Sequence, residues 1–179
     1  MKKLLISLML VVFLPVLANA EDRFKAGTWE LAIGSSSIDL SINPSIGYFL
    51  LDNVEGIVHF DYAKVTIDYP SGFEDYETTS KSFSAGLAYN IPTETNIVPF
   101  LIGELSYYSI DEDVANSSIL DTSADAIGID VGFGLRFLIG NRASINASIE
   151  FAIADMDVDD TNVDMSGHTL GISYSLFFN

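Results

Sequence analysis

The side chains able to do chemistry fall into three groups. Glu30, Asp130, Arg136 and Glu150 stand on the polar side of stretches of alternating apolar and polar residues, and Glu104 stands in a stretch that is apolar on both sides. Asp155, Asp157, Asp159 and Asp160 form an acid-rich run, with further acids at 111–113, 121 and 125 and at 74, 75 and 77. The two histidines, His59 and His168, stand apart. For the first group the expected chemistry is ion pairing, because an enclosed charge must be matched or neutralised. Arg136 should therefore sit among these carboxylates as an interior charge network, or line a gate or proton path. One arginine cannot balance four acids. The surplus should be protonated, lie near a rim, or be joined by Lys64.

The other two groups point away from catalysis and from a metal centre. Asp155-x-Asp157-x-Asp159 begins like a calcium loop, but Asp160 and Ser166 fall where that loop needs glycine and glutamate. These four aspartates are weak candidates for Ca²⁺ or Mg²⁺, and the acid-rich segments otherwise suit a solvated surface. His168 is followed by Thr169 and Leu170, and no Gly-x-Ser-x-Gly occurs. No catalytic site, cofactor or metal is expected.

The elements that must position these groups are strands. Ile127, Ile129, Val131, Phe133, Leu135 and Phe137 alternate with Gly128, Asp130, Gly132, Gly134 and Arg136, which is the period of a two-faced strand. The pattern recurs from Ala143 to Ile153, with Ser144, Asn146, Ser148 and Glu150 on the polar face, and from Leu170 to Phe178. Gly140-Asn141 between the first two suits a hairpin turn. Noisier versions surround Trp29, Leu40 to Leu50, and Phe83 to Tyr89. Between Glu55 and Tyr69 the phase changes, so a β-bulge is expected near Ala63-Lys64. Over Val98 to Ile110 both faces are apolar, and Glu104 is placed inside because a carboxylate facing hydrocarbon is costly. The expectation is all-β, with about eight strands of roughly 9–11 residues. Short connections fall at 51–54, 92–96 and 139–142, and long acidic loops at 70–80, 111–125 and 155–167; the first connection, near Ser35 to Ser37, is brief.

Composition narrows the class. The net charge is −17, which argues against nucleic acid as a partner. Yet 49% of residues are hydrophobic. Met1-Lys2-Lys3, an apolar run to Leu17 and Ala18-Asn19-Ala20 have the order of a cleaved secretory leader over residues 1–20, leaving 21–179 as one domain. No later stretch is long and apolar enough for a spanning helix. A soluble barrel would turn Gly, Ser, Asn and Ala outward, an unusual surface where charge is the norm. A barrel with its apolar face in lipid accounts for both patterns. Trp29, Tyr48, Tyr89, Tyr174 and Phe178 are then candidate membrane-interface aromatics.

The final segment, Leu170-x-Ile172-x-Tyr174-x-Leu176-x-Phe178, resembles the closing strand of bacterial outer-membrane barrels. With the leader and the hairpin rhythm, the whole mature chain resembles the small eight-stranded barrels of the OmpA, OmpX and opacity-protein type. That resemblance implies a closed antiparallel up-and-down transmembrane β-barrel in the cell outer membrane. It also implies contact with outer-membrane lipid and lipopolysaccharide, and recognition of the last strand by the barrel-assembly machinery. In that family the near-terminal Phe is usually last, whereas here Asn179 follows Phe178. The expected role is a non-enzymatic surface, envelope-integrity or adhesion-type protein, with divalent cations as further partners of its acidic loops. A narrow porin-like channel and a soluble periplasmic barrel for a hydrophobic ligand are the alternatives.

Overall fold

The computed structural model describes residues 24–36, 43–67, 76–114, 122–158 and 161–179. Eight strands follow in order: β1 (Trp29–Ser36), β2 (Asn43–Leu51), β3 (Val54–Ile67), β4 (Tyr76–Asn90), β5 (Ile97–Val114), β6 (Thr122–Ile139), β7 (Ala143–Val158) and β8 (Thr161–Phe178). Each pairs antiparallel with its neighbours in sequence, and β1 closes on β8 with Trp29 opposite Phe178. Closure is what hydrocarbon demands, because an open edge would leave backbone N–H and C=O groups without partners.

The apolar face of every strand points out. Ile127 is 70% exposed, Ile153 69% and Leu105 65%, far too much for residues of a water-soluble core. The inward face carries Glu30, Glu104, Asp130, Arg136 and Asn146, all buried. Small inner residues make room for large ones. A side-chain carbon added at Gly134 would lie 2.5 Å from the ring of Phe100, and one at Gly47 would lie 1.8 Å from the Glu55 carboxylate. At the tight β6–β7 turn, Gly140 adopts φ 57°, a left-handed conformation that glycine enters without strain.

Four local expectations are corrected. Strands β3 to β8 have between 14 and 18 residues, not 9–11. Antiparallel pairing continues past the membrane because each added pair still satisfies backbone groups. Much of the sequence expected as acidic loop is therefore strand: Asp111 lies in β5, Asp125 in β6, and Asp155 and Asp157 in β7. Second, no bulge occurs at Ala63-Lys64, where the register with Ser80 and Thr79 runs unbroken. The phase change falls where β3 rises toward its end and both faces are open, as exposed Lys64, Val65 and Thr66 show. The irregularity lies instead between Phe49 and Leu51, beside the β2–β3 turn. Third, Ser35 and Ser36, expected in the first connection, end β1 and pair with Ile172 and Gly171 of β8, while 37–42, Leu40 and Ile42 among them, lie outside the described residues with the leader. Fourth, the interior charges do not form one network, as the lumen shows.

Candidate functional site: the barrel lumen

The lumen has three levels. At the end bearing the short turns it is closed by an aromatic plug. Phe24, ahead of β1, packs on Phe49 and Phe177 with ring centroids 5.6 and 5.8 Å away, and Val98 and Leu138 complete the cluster. Phe49 is 0% exposed. The segment is fastened by backbone N–H donation from Asn53 to Phe24 O (2.6 Å) and from Gly27 to Phe49 O (2.9 Å). Thr28 Oγ1 donates to Asn179 Oδ1 at 2.8 Å, so the residue after the terminal Phe ties the end of β8 to the plug segment. Thr28→Ala should lower stability by about 1 kcal/mol, the usual net worth of one hydrogen bond, read as a small shift in the urea midpoint.

Directly above the plug sits an ion triad. Arg136 donates from Nη1 to Glu30 Oε2 and from Nη2 to Glu55 Oε2, the latter at 2.8 Å. All three side chains are buried. The guanidinium also lies 5.8 Å from the Phe24 ring centroid and 6.0 Å from that of Phe177, so the triad rests on the aromatic level below, and Phe100 flanks it at 5.1 Å. Strands β1, β3 and β6 are thereby joined across the lumen.

Toward the long-hairpin end lies a polar cavity of about 380 Å³. Glu104 accepts from Ser84 Oγ at 3.2 Å and lies 3.2 Å from His59 Nδ1. Asp130 accepts from Ser106 and from Tyr108 Oη, the latter at 2.7 Å. Asp61 accepts from Ser82 Oγ at 2.6 Å, and Glu150 from Ser148 Oγ at 2.9 Å. The five interior charges singled out in the sequence thus divide. Glu30 joins Arg136, while Glu104, Asp130 and Glu150 line the cavity with His59. Lys64 lies 2.6 Å from Glu77 on the strand extensions rather than among the lumen acids.

Sequence reasoning missed Glu55, Phe24 and Phe49. A signal for two of them exists. Extending the alternation of Val58, Phe60 and Tyr62 backwards puts Glu55 on the inner face, and bulky Phe49 continues the inner face of Ser45 and Gly47. For Phe24, outside any strand, no periodicity was available.

The aromatic candidates lie on the outer face. Trp29, Tyr48, Tyr89 and Phe178 are exposed toward the short-turn end, with Trp29 and Tyr48 rings 4.7 Å apart. Tyr174 is half-buried and stands opposite Ile33, higher in the wall. Asp155 is exposed, while Asp159 and Asp160 lie outside the described residues. Among the described residues no group of three acids or histidines is placed to hold a metal.

Similar folds are known. The chain has a TM-score of 0.61 with the N-terminal β-barrel domain of Pseudomonas aeruginosa OprF at 17% identity, covering 86% of this chain and 98% of that one. Neisserial surface protein A gives 0.59 at 22% identity, with coverage of 84% and 94%. OprG from Pseudomonas aeruginosa gives 0.60 at 15% identity, with coverage of 88% and 98%. At such identities the likeness is one of fold. No curated protein matches the sequence. Residues 4–178 match the family described as outer membrane protein beta-barrel domain, and with the closed, apolar-out barrel this shows that the chain belongs to that family.

Proposed function

We propose that the protein is a sealed, non-enzymatic barrel of the cell outer membrane, which anchors acidic strand extensions at the surface for envelope integrity or adhesion. One observation carries this reading: the lumen is blocked on two successive levels, by the Phe24–Phe49–Phe177 plug and by the Arg136–Glu30–Glu55 triad. An eight-stranded barrel is narrow enough for its side chains to fill it. The proposed partners are outer-membrane lipid against the apolar belt and lipopolysaccharide around the extensions, where Asp111, Asp125 and Asp155 could share divalent cations with anionic headgroups. The closing strand β8 is the proposed contact for the barrel-assembly machinery. The non-enzymatic part of the reading rests on the sequence, in which neither histidine stands in a nucleophile motif.

Single-channel recording on the full chain in planar bilayers tests the reading. In molar KCl no discrete conductance steps are expected. Stable, reproducible steps would instead establish the narrow porin-like alternative.

A further inference from the structure

We infer that the upper edge of β8, residues 161–167, is a docking site for an extended basic peptide segment of a partner protein, which pairs with it as an added strand. The register exposes this edge. β7 pairs with β8 from Val158 opposite Thr161 to Ala143 opposite Leu176, whereas β1 pairs with β8 only as far as Ser36 opposite Gly171. Continued residue for residue, β1 would set 37, 38 and 39 opposite 170, 169 and 168 before the chain must turn back to Asn43 of β2. Residues 161–167 lie beyond that reach. Their height follows from the same pairings. Asp164 stands opposite Asp155, and Asp155 opposite Ile127, at the far end of the lipid-facing run of β6.

The backbone of this edge is aimed outward. Phe177 donates its N–H to Arg142 O, on the β7 side. Successive strand residues alternate in direction, and the register with β7 runs without a shift. Odd-numbered residues of β8 therefore serve β7, and Asn162, Asp164 and Ser166 present N–H and C=O to the free side. Natural edges are usually blunted by lysine, proline or a bulge. Residues 161–167 have none of these, and Asp164 is their one charge. By contrast β3, which also outruns the β1–β2 hairpin, carries Lys64. Charge selects the occupant. Asp125 stands opposite Asp157, and Asp155 opposite Asp164, while Lys64 and Lys81 already pair with Glu77 and Asp111. A second copy would set acid against acid. A strand with lysine or arginine at alternate positions meets the acids with its side chains and the edge with its main chain.

The inference rests on the reading that the strand extensions stand outside the membrane, and it holds whether or not the barrel conducts. Fluorescence anisotropy tests it, with the full chain in phosphatidylcholine nanodiscs and a labelled peptide of alternating lysine and valine as probe. Saturable binding is expected, about tenfold weaker in Ser166→Pro, which removes an edge-facing N–H and spares the β7 ladder. Peptides with glutamate for lysine, or with successive amides N-methylated, should not bind. The heat-shifted gel band of the same samples keeps the two readings apart: its absence from the unsubstituted chain would undo the barrel, whereas lost binding beside an intact band bears on the edge alone. If Ser166→Pro lacks the band, Asn162→Pro replaces it with the same expected weakening. Absent saturable binding, equal binding of either control peptide, or unchanged affinity in the folded variant would each overturn the assignment. So would a dimer in sedimentation that Ser166→Pro disperses, since the edge would then belong to a second copy.

Discussion

Arg136→Ala should destabilise the barrel by roughly 3–5 kcal/mol, the cost of breaking a buried ion pair from one side. The substitution strands two carboxylates, Glu30 and Glu55, in a lumen where both are almost fully buried and where Arg136 is their shared donor. It also removes the planar group lying over Phe100. Unfolding by urea in lipid vesicles, followed by the unheated gel band, should show the folded-to-unfolded ratio falling by roughly two to three and a half powers of ten, at about 1.4 kcal/mol per decade. Arg136→Met combined with Glu30→Gln and Glu55→Gln should recover most of the loss, since it is the unmatched charge and not the missing volume that dominates. If the triple variant is as unstable as the single one, packing on the plug, rather than charge, holds this level together.

The second large effect concerns the outer face. Val131 stands midway along the outward run of β6, with Ile127 at its far end. Val131→Arg should cost about 2–4 kcal/mol, whereas Ile127→Arg should cost only about 0–1, because the price of a lipid-facing cation falls steeply from midplane to interface. The same vesicle titration reads both. The ratio of the two matters more than either value: equal costs would mean that the hydrocarbon belt is not centred where the strand register puts it.

Several features were legible before any coordinates. The strict alternation of β6, β7 and β8 gave the faces of these strands, because a side-chain period of two leaves no freedom once one face is apolar. Glu104 could be placed inside β5 although both its faces are apolar, since a carboxylate has one tolerable direction there. Strand ends were less legible. The pattern tells where a strand meets lipid, but pairing beyond the membrane depends on the partner strand and leaves no hydropathy signature, so Asp111, Asp125 and Asp155 looked like loop.

By itself, then, the sequence determined the apolar-out barrel, the hairpin order and the inward side of Glu30, Glu104, Asp130, Arg136 and Glu150, though not of Glu55 or Asp61, because these follow from periodicity and from the cost of burying polar groups in hydrocarbon. Only the tertiary structure decided how those charges divide. Arg136 meets Glu30 from β1 and Glu55 from β3, contacts spanning 106 and 81 residues, while Glu104, Asp130 and Glu150 turn to serines, a tyrosine and His59. That choice rests on the height of each residue along its tilted strand and on the stagger with which β1 meets β8. Both are properties of the closed barrel as a whole, and no local stretch of sequence contains them.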